Sequence, residues 1–226
     1  MDPADPFAMN RISTGEGKAW ILAVCQAVTQ ARDELSAIDG AIGDGDHGIN
    51  MAKGFRLAME ELDGKACSFE ESLDQVAGIL MGRIGGSMGP LYGMFFKGMA
   101  REAAKADYLD AAQWAALLQG ARQAIGRVSP ARPGDKTLVD VLQPAAEAAI
   151  QAAEQHQDLG QALSSTCKAA RSGLDSTREM QARLGRASRL GERSRGHLDP
   201  GAASCCLILE TLSSVIAQHL QPGART

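Results

Sequence analysis

Residues 14–37 read TGEGKAWILAVCQAVTQARDELSA, and their pattern recurs along most of the chain. The apolar side chains of this stretch recur at helical spacing. Those on one stripe are Trp20, Ile21, Val24, Val28 and Leu35. Other segments are rich in Ala, Leu, Gln, Glu and Arg, which favour helices, whereas strand-forming residues are few. We therefore predict an all-α protein.

Capping signals and apolar periodicity divide the chain into eight predicted helices. They span about 14–37, 48–62, 68–84, 87–105, 110–125, 135–155, 159–180 and 199–221. Ser68 with Glu71 is typical of a capping box, and Asp199 with Pro200 is typical of a helix start. Because most connections are short, the pattern favours an up-and-down antiparallel bundle or barrel.

Four connections have an unusual composition, and an up-and-down bundle places all four at one end. They span 38–48, 85–90, 126–137 and 181–200. The last one contains Arg183, Arg186, Arg189, Arg193 and Arg195. Each connection also precedes a helix, so four helix N-termini are expected to point free N–H groups at this end, where they attract anions.

Three aspartates in the first of these connections are candidate metal ligands. Asp39, Asp44 and Asp46 lie among glycines that permit sharp turns. Crowded carboxylates repel one another without a cation, and their oxygens suit Mg²⁺ or Ca²⁺. An EF-hand is excluded, because its twelfth position, counted from Asp44, is Phe55. The alternative is three solvated or capping aspartates.

Two other motif matches are decoys. One match, Gly43-x-Gly45-x-x-Gly48, resembles a dinucleotide fingerprint, and the other, Gly85-x-Ser87-x-Gly89, resembles a nucleophile elbow. Both motifs require a preceding strand, but here each follows a predicted helix.

Carboxylates, arginines and helix starts at one end together indicate a Mg–nucleotide site for phosphoryl transfer. The alternatives are a solvated arginine loop paired with Glu179 and Glu192, and a capping or surface role for His47.

Composition excludes several classes of protein. The 226 residues contain 23 Lys and Arg against 27 Asp and Glu, so the basic excess of a nucleic-acid binder is missing. The five cysteines are scattered and form no CxxC pair, which argues against a zinc site and a disulfide framework. No uncharged run approaches the length of a membrane span, which argues against a transmembrane helix. Residues 1–10 look like an added leader or a disordered segment, with Met9 a plausible native start. We expect one cytoplasmic domain over residues 11–226.

Three motifs resemble the dihydroxyacetone kinase L domain family. They are IGDGDHG at 42–48, GDKT at 134–137 and MQARLGRASRLGERSRGHLDPGA at 180–202. The resemblance spans about residues 21–217, in the family's order. It implies an eight-helix barrel that binds an adenine nucleotide, ADP or ATP, and two Mg²⁺ ions at one end.

The resemblance also implies roles for individual residues. The implied Mg²⁺ ligands are Asp39, Asp44 and Asp46. The implied nucleotide-binding residues are His47, Gly48, Ile49, Asn50, Ser87, Met88, Ser129, Leu138, Arg186, Asp199, Pro200 and Gly201. Met88 departs from the family pattern, in which a small residue occupies this position, so a hydroxyl contact is lost there.

Two family variants differ in their source of phosphate. One is fused to a dihydroxyacetone-binding domain and uses free ATP. The other is a separate subunit that keeps ADP as a cofactor and acts with a dihydroxyacetone-binding subunit. A phosphohistidine protein of the phosphoenolpyruvate phosphotransferase system rephosphorylates this ADP. This chain resembles the separate subunit. The alternatives are a split ATP-dependent kinase for another ketose such as erythrulose, a nucleotide-sensing partner of a transcription regulator, and a carrier of an apolar ligand.

Overall fold

The computed structural model describes residues 11–220, and helices dominate this part of the chain. The α-helices are α1 Lys18–Gln30, α2 Arg32–Gly40, α3 His47–Leu62, α4 Phe69–Arg83, α5 Met88–Ala103, α6 Ala111–Gly126, α7 Val139–Glu154, α8 Leu159–Ser176 and α9 Pro200–Leu220. A 3₁₀ helix spans Arg186–Ser194, and two short strands, β1 Ile12–Ser13 and β2 Tyr108–Leu109, pair antiparallel. The predicted all-α fold is confirmed.

The helices close into a ring. From α3 to α9 each helix packs against the next, α1 packs against α3, and α9 returns to pack against α1. The short helix α2 continues from α1 and lies against α3 and α9. This arrangement is the predicted up-and-down barrel, so alternate connections meet at the same end.

Aromatic side chains fill the interior of the ring. Phe55, Phe95 and Phe96 are fully buried, and their rings meet edge to face at centroid distances of 5.1 and 5.7 Å. Elsewhere two glycines bring helix backbones together: a Cβ on Gly98 of α5 would lie 2.3 Å from the carbonyl oxygen of Gly120 in α6. The packed core therefore holds the helix ends in fixed relative positions.

The first predicted helix is wrong as one continuous element. It begins at Lys18 instead of Thr14, and it breaks at Ala31, where φ is −78° and ψ is 7°. The Thr29 hydroxyl donates to the carbonyl oxygen of Cys25 over 2.7 Å, a local bond that bends helices. The break lets α2 lie against α3, and this places Asp39 at the end of the barrel.

Two further boundaries differ from the prediction around the site. The helix expected from Asp135 begins at Val139, because Gly134 and Lys136 have φ of 91° and 61° and cannot start a right-handed helix. The helix expected to reach Met180 ends at Ser176. Both changes lengthen the connections at the functional end of the barrel.

The helix α9 is long and apolar enough to cross a membrane by length and composition alone. Its apolar side chains, including Ile208, Leu209 and Leu212, are instead fully buried in the barrel. A core helix gives the same signal, so α9 provides no argument for a membrane span. The leader assigned to residues 1–10 lies outside the described residues.

Candidate functional site

The four unusual connections meet around one cavity of about 920 Å³. Each connection contributes to its wall, as the predicted topology requires. Thirteen residues singled out from the sequence line it: Asp39, Asp44, Asp46, His47, Asn50, Ser87, Met88, Ser129, Leu138, Arg186, Asp199, Pro200 and Gly201. The other two, Gly48 and Ile49, do not line the cavity.

Three carboxylates form the acidic side of this cavity. One oxygen from each of Asp39, Asp44 and Asp46 can be chosen so that all three lie within 4.8 Å of one another. Asp39 is buried, and its Oδ2 accepts the backbone N–H of His47 over 3.2 Å, which fixes its orientation at the start of α3. A cluster of hard oxygen donors fits a hard divalent cation such as Mg²⁺.

The Arg186 guanidinium lies against two of these carboxylates. It forms an ion pair with Asp44, and its Nη2 is 3.8 Å from Oδ2 of Asp46. The arginine side chain is 60% exposed, so it can move without breaking a buried contact. A positive group therefore already faces the acidic cluster, and Arg186 is the arginine of the long connection that lines the cavity.

Helix starts differ between the two ends of the barrel. The helices α4, α6 and α8 begin at the far end, where Ser68, Asp110 and Asp158 cap them with side-chain hydrogen bonds. The helices α3 and α5 begin at the cavity without a hydrogen bond from the side chain of their N-cap residues, Asp46 and Ser87. The first N–H of α3, that of His47, donates to Asp39, so the other N–H groups in the first turn of α3 and those in the first turn of α5 are placed to receive an anion.

The prediction of four free helix starts is wrong for α7 and α9. At α7 the first N–H, that of Val139, donates to the Thr137 hydroxyl over 3.2 Å, and the N–H of Asp140 donates to the Thr137 carbonyl oxygen over 3.0 Å. At α9 the Asp199 carboxylate accepts the N–H of Ala202 over 2.7 Å. These local hydrogen bonds satisfy donors that the prediction left open. Anion binding by backbone groups is thus concentrated at α3 and α5.

A buried polar network supports the cavity floor, and the sequence analysis missed most of it. The His47 Nε2 lies 2.9 Å from the Ser204 hydroxyl, which is 2.6 Å from the Tyr92 hydroxyl. Tyr92 also donates to the Gly201 carbonyl oxygen over 2.9 Å. Burial lowers the pKa of His47 to about 4, although the nearby Asp39 opposes this shift. His47 is thus a buried, neutral residue, and neither a capping nor a surface role applies.

Two of the residues missed, Tyr92 and Ser204, carry a recognisable signal in the sequence. Each is a polar residue on an otherwise apolar helix face, and both are buried. Buried hydroxyl groups need hydrogen-bond partners, so such positions indicate an internal network. The sequence alone does not say that α3, α5 and α9 are the helices that this network joins.

Gly48 serves helix packing in this structure. A Cβ at this position would lie 2.0 Å from the carbonyl oxygen of Arg32 and 2.6 Å from the backbone nitrogen of Ser36 in α2. We expect Gly48→Ala to lower the free energy of unfolding by roughly 1–3 kcal/mol, because backbone atoms must move apart. Chemical denaturation measures this change.

The matched control for that substitution is Gly78→Ala in α4. Gly78 is exposed and a Cβ there would meet nothing within 4 Å, so alanine at this helix position should stabilise the protein by about 0.5–1 kcal/mol. Equal effects of the two substitutions would contradict the close packing of α2 against α3.

The buried carboxyl group of Asp199 is expected to make the stability of the folded protein depend on pH. Burial raises its pKa to about 7 from an ordinary value of 3.8. Between these values the folded protein holds a proton that the unfolded chain releases, so this group's contribution to stability falls as the pH rises from about 4 to 7. Asp199→Asn removes the titration, and its stability relative to the parent should rise across this window, by on the order of 4 kcal/mol at most.

Denaturant unfolding of ligand-free parent and variant between pH 4 and pH 8 tests this expectation. Asp158→Asn is the control, because Asp158 also caps a helix but is exposed at the far end. A stability difference between Asp199→Asn and the parent that does not vary with pH would show that Asp199 does not titrate in this range.

The fold and the cavity together define an all-helical barrel whose pocket, at one end, carries both negatively and positively charged side chains. The DAK2 domain model matches residues 41–214. The chain is 35% identical over 195 residues to "PEP-dependent dihydroxyacetone kinase, ADP-binding subunit DhaL" of Escherichia coli K12, covering 86% of this chain and 93% of that protein. It is 36% identical over 199 residues to "PTS-dependent dihydroxyacetone kinase, ADP-binding subunit DhaL" of Lactococcus lactis, covering 88% and 95%. The chain therefore belongs to the DAK2 domain family.

A solved structure supports the fold. The dihydroxyacetone kinase from C. freundii, in complex with AMP-PNP and Mg²⁺, superposes with a TM-score of 0.65 at 20% identity. The match covers 95% of this chain and 37% of that one, so this chain spans about a third of the larger kinase. The predicted resemblance to the family is confirmed.

Proposed function

We propose that this chain is the ADP-binding, phosphate-carrying subunit of a phosphoenolpyruvate-dependent dihydroxyacetone kinase. The observation that carries the proposal is the charged cavity. The carboxylates of Asp39, Asp44 and Asp46 face the Arg186 guanidinium there, and two helix starts without a side-chain cap open at the same end. A magnesium-bound diphosphate requires this combination of hard anionic ligands for the metal and positive or N–H groups for phosphate.

Asp39, Asp44 and Asp46 would hold magnesium, and the proposed number of ions is two. When bound, Mg–ADP supplies charge neutralisation and a terminal phosphate that accepts and passes on a phosphoryl group. The chain's own residues would bind and orient it: N–H groups in the first turns of α3 and α5, other than that of His47, would donate to phosphate oxygens, and Arg186 would add positive charge. Met88 and Leu138 give part of the cavity an apolar wall for the nucleoside.

Two exposed apolar side chains at this end of the barrel support a role for partner proteins. Ile49 in the first turn of α3 is 50% exposed, and Val128, which lines the cavity, is 47% exposed. We propose that a dihydroxyacetone-binding subunit and a phosphohistidine donor dock in turn over this end of the barrel, in the cytoplasm. No substrate-binding domain accompanies this unit among residues 11–220.

The first experiment asks whether nucleotide is bound. Purified protein is quenched with acid, and chromatography of the supernatant measures adenine nucleotide; a sample stripped with a chelator is then titrated with ADP, with and without Mg²⁺. We expect near-stoichiometric ADP and magnesium-dependent rebinding. A protein that neither contains nor binds adenine nucleotide would refute the proposal.

The second experiment separates the phosphate sources. The ADP-loaded protein is mixed with a dihydroxyacetone-binding subunit and either a phosphohistidine donor or free ATP. Turnover with the phosphohistidine donor, without nucleotide exchange, is the expected result. Turnover only with free ATP would favour a split ATP-dependent ketose kinase, and tight binding without transfer would favour a nucleotide-sensing partner of a transcription regulator.

A further inference from the structure

We infer that Lys136 is a positioning residue that holds the Arg186-bearing connection over the cavity, an inference that rests on the proposed nucleotide-binding function. Lys136 is 1% exposed, although it is a lysine in the connection between α6 and α7. Its Nζ donates to the backbone carbonyl oxygens of Ser194, His197 and Met180 over 2.6, 2.7 and 3.2 Å. An ammonium group has three N–H donors and no acceptor, so it matches three converging carbonyls.

The positions of these carbonyls matter. Met180 precedes the 3₁₀ helix that begins at Arg186. Ser194 is the last residue of that helix, and His197 follows it. A single ammonium group therefore ties both ends of the connection together. Arg186 lies between the two ends, and its guanidinium reaches the carboxylates of Asp44 and Asp46.

Other contacts join the same elements. The backbone N–H of Arg183 donates to the carbonyl oxygen of Asp135 over 3.1 Å, next to Lys136 in sequence. The Ser194 hydroxyl accepts the N–H of Ala182 over 2.9 Å and donates to the carbonyl oxygen of Gly191 over 2.6 Å. The two connections thus form one hydrogen-bonded unit, with Lys136 at its buried centre.

The backbone at Lys136 indicates that this placement is maintained against a local cost. Its φ of 61° is a left-handed conformation that non-glycine residues seldom adopt. Burial lowers the pKa of Lys136, and the carboxylates of Asp199 and Glu179 oppose this shift while Arg195 reinforces it. A hydrophobic side chain of similar length would fill the space but would leave three buried carbonyls without a donor.

The test is a double-mutant cycle on nucleotide affinity. Calorimetry measures Mg–ADP binding to the parent, Lys136→Met, Arg186→Ala and the double variant. We expect Lys136→Met to weaken binding roughly tenfold in the parent, because Arg186 is no longer held in place, but less than about twofold once Arg186 is absent. Lys105→Met, at an exposed position near the end of α5, controls for loss of a lysine and should change nothing.

A second readout needs no nucleotide. Trypsin should cleave the arginine-rich 183–195 segment faster in Lys136→Met than in the parent or in Lys105→Met, because opening of this segment exposes its bonds. If Lys136→Met does not fold, Ser194→Ala enters the same cycle, since it weakens the same unit, and the same coupling with Arg186 is expected.

Three outcomes decide the matter. Equal losses of affinity with and without Arg186 would overturn the inference while leaving the proposed function intact, because a merely structural lysine acts independently of Arg186. An unchanged affinity in the parent background would overturn it as well. A parent that binds no Mg–ADP would instead refute the proposed function and, with it, any role of Lys136 in nucleotide binding.

Discussion

Arg186→Ala is expected to weaken Mg–ADP binding roughly ten- to a hundredfold, since a charge-assisted hydrogen bond contributes roughly 1.5–3 kcal/mol. The side chain is 60% exposed, so its removal should leave the barrel folded. In the ligand-free protein the guanidinium lies against Asp44 and Asp46, and it competes with a cation for these carboxylates. Affinity for Mg²⁺ alone should therefore stay the same or rise while affinity for Mg–ADP falls.

Calorimetric titrations with Mg²⁺ alone and with Mg–ADP measure the two effects separately. Arg189→Ala is the matched control, because Arg189 lies on the same 3₁₀ helix, is exposed and does not line the cavity. Parent-like affinity for Mg–ADP in Arg186→Ala would remove this arginine from the phosphate site. A parallel loss of affinity for metal alone would show that the substitution disturbs the acidic cluster itself.

Helical periodicity predicted the architecture because each helix in a closed ring must bury one face. The stripe from Trp20 to Val28 is buried in the barrel as expected. The same reasoning could not predict the break at Ala31, since it depends on the Thr29 hydroxyl bonding to Cys25 and on the path that α2 takes against α3. The spacing of apolar residues along the sequence is not altered by a small change in helix direction.

The site was predicted from topology and from the family resemblance. The up-and-down order brought the connections that carry Asp39, Asp44, Asp46 and Arg186 to one end, the resemblance singled out Arg186 among the arginines, and the structure places all four on the cavity. Lys136 belongs to the GDKT motif in one of the four unusual connections, but neither the motif nor the connection indicated what this lysine contacts. Its importance arises from three carbonyl groups far away in sequence, which only the tertiary structure reveals.

Neighbours in sequence can also have different roles. Gly48 and Ile49 follow His47 in one motif, yet neither lines the cavity. Gly48 lies against the backbone of α2, and Ile49 is half exposed. Because successive helical residues point about a quarter-turn apart, a motif that crosses a helix start divides its residues between the cavity, the packing interface and the surface.

Asp44→Asn separates metal binding from loop structure and should largely abolish the stabilisation that Mg–ADP gives the parent. The substitution keeps the size of the side chain but removes one negative charge from the cluster. Ligand binding stabilises the native state by RT ln(1 + [L]/Kd), so the shift shrinks as Kd rises. Ligand-free stability should change by less than about 1 kcal/mol, because the ion pair of Asp44 with Arg186 is exposed and relief of carboxylate repulsion offsets its loss.

Thermal melts of parent and variant, each with and without Mg–ADP, measure both quantities. The control is Asp63→Asn, because Asp63 follows α3 at the far end and accepts the N–H of Gly64 over 3.0 Å, so it has a local turn role without a metal cluster. That variant should keep the parent's full shift with Mg–ADP. If Asp44 has only a structural role, Asp44→Asn will behave in the opposite way: it will melt earlier without ligand and keep the full shift. That pattern would remove Asp44 from the metal site and weaken the phosphotransfer assignment, because the acidic side of the cavity would then have lost one of its three proposed ligands.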